Sequence, residues 1–122
     1  MSHTATYEAI LSDKEALIKA LKNLGLTYRE GVANLFQTTE KGIVVNLPGW
    51  RYPIVIREDG TVAYDNYNGR WGNIEKLHEL SVTYALEQAK INARKRGYRV
   101  REYNVNGKKR LEMVKINSGG KR

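Results

Sequence analysis

Between Asn73 and Gly97 runs a long amphipathic stretch with two apolar rows instead of one, and this most restricts what the chain can become. The main row is Ile74, Leu77, Leu80, Tyr84, Ala85 and Ile91. A second row carries Val82, Leu86, Ala89 and Ala93. Only a narrow strip is polar: Lys76, Glu79, Thr83, Glu87, Lys90 and Arg94. Asparagine caps helix starts and glycine ends helices, so the spacing predicts a helix from Asn73 to Arg96. A surface helix of a small domain needs one buried stripe. Two rows call for a sheet on one side and a second helix, or another chain, on the other. The second helix is at hand. Ser12-Asp13-Lys14-Glu15 reads as a capping box with Ser12 as N-cap. Ala16, Leu17, Ile18, Ala20, Leu21 and Leu24 then share one side, and Gly25 stops the turn.

The remainder reads as strands. Thr6 to Leu11 is a short first strand, and Leu26 to Thr38 is extended with a break at Gly31. Ile43 to Leu47 is a further strand, closed by Pro48-Gly49. Turn chemistry marks two hairpins. Tyr52–Arg57 and Thr61–Asn66 flank Asp59-Gly60; Tyr98–Val105 and Lys108–Ile116 flank Asn106-Gly107. Both dipeptides suit a two-residue type I′ turn. That loop length fixes the register of the last hairpin: Val105 opposite Lys108, Tyr103 opposite Arg110, Arg101 opposite Glu112, Arg99 opposite Val114. Alternation then turns Tyr98, Val100, Leu111 and Met113 inward and the cations outward.

Gly25-Leu26-Thr27-Tyr28-Arg29-Glu30 after the first helix is echoed by Gly97-Tyr98-Arg99-Val100-Arg101-Glu102 after the second. The pattern fits two β-α-β-β units. The expected fold is α+β, a mainly antiparallel sheet of six or seven short strands with both helices on one face. A chain of 122 residues fits one domain. It is expected over residues 1–117, with a basic flexible tail at 118–122.

Composition narrows the chemistry. Without cysteine there is no disulfide framework, thiolate zinc site or thiol nucleophile. No segment approaches the ~18 apolar residues of a membrane helix, and the first residues lack a secretory pattern. A cytoplasmic setting is expected (plastid stroma or host cytoplasm are its variants), with no membrane partner. Charge is lopsided: residues 90–122 hold twelve Lys/Arg against two acids, whereas residues 1–89 hold nine against eleven. A basic half points to an anionic partner or to a solubility surface.

No active site assembles. The histidines are His3 and His78. His78 sits between the two apolar rows, where hydrogen-bonded packing is the better reading. A copper or nickel chelate at Met1-Ser2-His3 would be lost on removal of Met1, which a small Ser2 favours. Asn68-Gly69-Arg70-Trp71-Gly72-Asn73 precedes a helix N-terminus but lacks the Walker lysine and the dinucleotide glycine spacing. No catalytic residue, metal or cofactor is predicted. Two binding surfaces remain. Trp50, Tyr52, Tyr64, Tyr67 and Trp71 crowd the middle of the chain, with Tyr64 read as core. Trp50, Tyr67 and Trp71, with Val82 and Leu86 on the second helix, are the candidate protein-binding residues. Arg99, Arg101, Tyr103, Lys108 and Arg110, on the outer face of the last hairpin, are the candidate nucleic-acid contacts.

Met1-Ser2-His3, Ile10, Asp13, Leu17, Ala20-Leu21, Leu24-Gly25, Tyr84-Ala85, Gly97-Tyr98 and Val100 together form a familiar pattern. The chain resembles the small domain family of unknown function that includes hypothetical chloroplast reading frame thirty-five. Its members occur in plastids, cyanobacteria, other bacteria and phages. The family has no assigned activity and no agreed catalytic residues, and its members often accompany AAA-type ATPases. The resemblance therefore implies an accessory or adaptor domain that binds a protein, such as an ATPase of that type or a copy of itself. A nucleic-acid-binding module using the basic hairpin is the alternative.

Overall fold

The Asn73–Gly97 stretch is a helix in the computed structural model, which describes residues 4–116. This helix, α2 (Ile74–Lys95), starts where the Asn73 side chain accepts the Glu75 N–H at 3.0 Å. The smaller helix α1 (Lys14–Asn23) begins one residue later than the capping-box reading. Its N-cap is Asp13, whose carboxylate accepts the Ala16 N–H at 3.2 Å. Ser12 is the expected cap; Asp13 takes the role instead, since a carboxylate caps as well as a hydroxyl. The Asp13 N–H donates to the Tyr84 hydroxyl at 2.9 Å. That bond ties the start of α1 to the middle of α2 and satisfies a phenol that is otherwise buried.

Among the described residues seven strands accompany the helices, all paired antiparallel. They are β1 (Ala5–Thr6), β2 (Thr27–Asn34), β3 (Thr39–Asn46), β4 (Ile54–Ile56), β5 (Val62–Tyr64), β6 (Tyr98–Val105) and β7 (Lys108–Lys115). The α+β class is as expected. The strands divide into a five-stranded sheet, ordered β1-β5-β4-β3-β2, and a separate two-stranded sheet, β6-β7. The order β1-α1-β2-β3 and β5-α2-β6-β7 runs along the chain. The two units do not share the single sheet of six or seven strands expected of them, because β6 and β7 pair only with each other among the described residues. The first strand is shorter than Thr6–Leu11, although Tyr7 and Leu11 still donate backbone N–H groups to Val62 and Gly60. The β4–β5 connection also differs from the two-residue reading. Arg57 and Thr61 close a loop of Glu58, Asp59 and Gly60, and Gly60 takes the left-handed position at φ 89°. Three-residue hairpins place glycine there.

The main core lies between the helices and one face of the sheet. Leu17, Leu21, Leu77 and Leu80 meet Val45, Ile54 and Val62, all essentially inaccessible. Truncating one such leucine to alanine typically costs about 2–5 kcal/mol. The opposite face carries a smaller cluster of Ala33, Leu35, Val44, Val55 and Ala63. Its cover comes from the β2–β3 ribbon itself. Val45 pairs with Ile54, so a flat ribbon would carry its tip far from Tyr52, past the other end of β4. Instead the Phe36 ring at the tip lies 6.4 Å from the Tyr52 ring, and Thr38 shares a 2.8 Å hydroxyl contact with Thr4. The ribbon therefore folds over the back of the sheet.

The bend falls at the facing pair Gly31 and Gly42. A Cβ at Gly42 would fall on the Ile56 carbonyl, which is backbone and cannot step aside. Beyond the bend, Glu40 reaches Arg57 at 2.9 Å and fastens the ribbon to β4. Arg57 draws the Glu40 carboxyl below its usual range through that hydrogen bond, against a smaller opposing effect of burial.

The last hairpin forms an arm with the register read from the sequence: Val105 with Lys108, Tyr103 with Arg110, Arg101 with Glu112, Arg99 with Val114. Its inward face is only partly covered. Tyr98, Val100 and Leu111 are half-buried, but Met113 is 58% exposed. The basic tail at 118–122 and the Met1-Ser2-His3 chelate lie outside the described residues.

Candidate functional site

Four aromatic rings gather where the ribbon tip meets the loop before α2. Trp71 lies 4.8 Å from Tyr67, 5.3 Å from Phe36 and 5.5 Å from Tyr52, centroid to centroid. Two guanidiniums border them. Arg51 sits 5.0 Å from the Trp71 ring and 5.8 Å from Tyr52, and Arg70 sits 5.0 Å from Tyr67. Both arginines are exposed, and neither forms an ion pair among the described residues.

The loop that holds this platform is tightly specified. Tyr67 and Asn68 both adopt left-handed backbone, at φ 48° and 53°. For a bulky residue such as Tyr67 this is a strained state, of order 1–2 kcal/mol. The buried Asp65 carboxylate accepts the Tyr67 N–H at 3.1 Å, and the Asn66 carbonyl accepts the Trp71 N–H at 2.9 Å. The Asn66 amide donates to the Gly72 carbonyl, and the Arg51 N–H donates to the Trp71 carbonyl. These bonds set the strained tyrosine and the tryptophan side by side. Strain kept by surrounding hydrogen bonds tends to cluster at binding sites.

Of the candidate protein-binding residues, Tyr67 and Trp71 belong to this platform, together with Tyr52 from the same aromatic run. Trp50 does not. It packs on the helix side with the main core, 6.1 Å from Tyr64, and its indole donates to the Asn73 carbonyl at 3.1 Å. A Cβ on Gly72 would collide with its ring. Phe36, Arg51 and Arg70 were not among the sequence candidates. The two arginines carry a legible signal, since each adjoins an aromatic residue; Phe36 carries none without the bend.

Val82 and Leu86 lie elsewhere, on the outer row of α2, with Val82 60% exposed and Leu86 half-buried. One turn beyond Leu86 on the same line is Lys90. It bonds Glu87 at 2.8 Å and Glu102, on the arm, at 3.1 Å. Glu87 and Lys90 are not the solvated strip that periodicity implies. Their side chains are 9% and 13% exposed. Burial tends to lower the Lys90 pKa, but the hydrogen bonds its ammonium donates to Glu87 and Glu102, with the attraction of both carboxylates, outweigh it and hold the ammonium above its usual range. Glu102 shares its arm face with Val100 and Met113, so the exposed row of α2 and this arm face meet at Lys90.

The candidate nucleic-acid residues share the other arm face. Arg101 is paired with Glu112 and lies 5.9 Å from the Tyr103 ring, which is 44% exposed. Arg99, Lys108 and Arg110 are exposed and form no ion pair among the described residues.

His78 accepts or donates at Nδ1 to the Tyr7 hydroxyl, joining the first strand region to α2. Burial pushes the Tyr7 phenol up, with a hydrogen bond to Ser81 opposing it. A cavity of about 680 Å³ opens beside the ribbon bend, lined by Leu11, Leu17, Ile43, Ile56 and the Lys14–Glu30 pair. His78 is not part of it. Among the described residues no cluster of three His, Asp or Glu side chains is arranged to hold a metal, and no helix is long and apolar enough to cross a membrane. No family profile, curated protein or solved structure matches the chain.

Proposed function

We propose that the protein is a non-catalytic adaptor domain that docks a protein partner through the outer row of α2 and the adjoining face of the arm. The observation that carries this reading is the pair Val82 and Met113, 60% and 58% exposed, on surfaces that meet at the Lys90–Glu102 bridge. Large aliphatic groups held open beside an ordered ion pair suit the apolar centre of a protein interface. Among the described residues the arm's two strands pair only with each other, and a partner segment can extend such edges. The resemblance makes an AAA-type ATPase the first partner to try and a second copy of the chain the next. A cytoplasmic setting fits a cysteine-free chain.

The test is affinity recovery of the tagged protein from its host extract after nuclease treatment. A stoichiometric protein is expected to be retained, and to be lost with Val82→Asp or Met113→Asp while both variants keep their melting temperatures. Retention by both variants would exclude this surface. Light scattering on the purified chain reads self-association separately.

A second reading rests on the opposite arm face, where Arg99, Lys108 and Arg110 surround exposed Tyr103. These groups suit phosphates and a stacked base. Salt-sensitive binding that weakens in Arg99→Ala and Arg110→Ala is its expected result.

A further inference from the structure

We infer that the Phe36–Tyr52–Trp71–Tyr67 platform is a binding site for single-stranded nucleic acid, separate from the protein-docking surface of α2 and the arm. Its chemistry differs in kind from theirs. On that docking surface the exposed large apolar residues include Val82 and Met113, both without a ring. The platform offers rings and guanidiniums, and Phe36, 51% exposed, is its one large apolar side chain of that exposure class. Aliphatic groups near it, such as Leu35 and Val55, are already buried beneath the ribbon.

Charge points the same way. Arg51 and Arg70 lie against ring faces at 5.0 Å, so their positions are set, and no carboxylate among the described residues pairs with either. A guanidinium held on a ring and free of acids is disposed to meet a phosphate while bases stack on neighbouring rings. Among the described residues, the loop's carboxylate Asp65 is turned inward, 1% exposed; its Oδ1 accepts the Tyr67 N–H and its Oδ2 has no hydrogen-bond partner. The strained Tyr67 and the bent ribbon deliver rings from four separate sequence positions to one place, so the surface is ordered before any ligand arrives. A duplex keeps its bases stacked inside, so only an unpaired strand can use these rings.

The experiment uses the full chain and fluorescein-labelled DNA and RNA single strands of about 12 nucleotides, with matched duplexes, followed by anisotropy. Single strands are expected to bind at least about tenfold more tightly than duplexes and to quench tryptophan emission. Phe36→Ala and Trp71→Leu should each weaken binding, roughly 5- to 150-fold per lost stacking ring. Arg51→Ala with Arg70→Ala should lower the salt slope by about 1.4, two contacts at ~0.7 each. Circular dichroism checks that each variant is folded, and the exposed arginine pair stays informative even where Trp71→Leu does not fold. The inference is overturned by no single-strand binding at low salt, by equal affinity for duplex, or by losses confined to Arg99→Ala and Arg110→Ala. The last result would move the strand to the arm and leave the adaptor reading intact.

Discussion

Lys90 joins the arm to the body, and its replacement by methionine is a sharp test of how the docking surface is held. The side chain donates to Glu87 at 2.8 Å and to Glu102 at 3.1 Å. Methionine keeps much of the stem and removes the charge. The two branches should differ in weight. Glu87 is 9% exposed and also lies 3.4 Å from the Asn23 amide of α1; losing its cation leaves a nearly buried carboxylate unpaired. Breaking a fully buried pair costs about 3–5 kcal/mol. Glu102 is 34% exposed, so solvent screens its branch to under about 1 kcal/mol. A loss of about 2–3 kcal/mol follows for Lys90→Met, dominated by stranded Glu87. Glu102→Gln should cost less than about 1 kcal/mol. Adding Glu87→Gln to Lys90→Met should recover at least half of the loss, because the charge still left without its partner, Glu102, is 34% exposed and solvated. Urea midpoints measure the three variants, and amide exchange over Tyr98–Val105 reports arm anchoring. Raising the pH should act like the mutation. The Lys90 pKa is raised on folding, so its contribution is fully present below the unfolded value near 10.5 and disappears as pH rises through the folded one. A Lys90→Met protein within about 0.5 kcal/mol of wild type, with unchanged arm exchange, would refute the reasoning.

Three further outcomes follow. Gly42→Ala should cost about 1–3 kcal/mol or more, because its Cβ meets the Ile56 backbone, and near-UV circular dichroism should report the displaced Phe36–Trp71 contact. Trp50→Ala should lower the melting temperature, since the ring packs on the main core and seats on Gly72; a partner-binding defect without destabilisation would contradict this placement. Acid should weaken the ribbon clamp. The Glu40 pKa is depressed by Arg57, so its contribution is present above the unfolded value near 4.5 and is lost as pH falls through the lower folded value. Glu40→Gln should flatten that part of the stability–pH curve, read by denaturant midpoints.

The elements legible in the sequence were those fixed by local chemistry. Asn106-Gly107 sets both turn and loop length, so the arm register followed residue by residue. Asn73 and Gly97 bounded α2 for the same reason. What escaped depends on contacts between distant residues. The β2–β3 tip at Phe36-Gln37 has no turn dipeptide of the hairpin kind, so two eight-residue strands were seen only as extended chain and a shorter strand. Glu87 and Lys90 satisfied the helical period as surface residues. Their distant partners are out of reach of the period: Asn23 of α1 lies beside Glu87, and Glu102 of the arm bonds Lys90. Trp50 and Trp71 look equivalent in the sequence and both are half-buried, yet Gly72 seats one against the main core while the turn at Tyr67 sets the other among the platform rings.

The bend at Gly31 and Gly42 accounts for both the core and the platform. The five-stranded sheet has helices on one face and would leave Val44, Val55 and Ala63 open on the other. Folding its own ribbon across them buries that face with Ala33 and Leu35 and needs no third helix. The same movement carries Phe36 to Trp71. Stability and ring placement are therefore coupled on this side of the sheet, through Gly42 and the Glu40–Arg57 clamp. On the helix side, arm and α2 are coupled through Lys90. Since the two devices share no residue, damage to one should leave the other surface in place. Gly42→Ala is thus expected to impair strand binding and spare partner docking, and Lys90→Met to do the reverse.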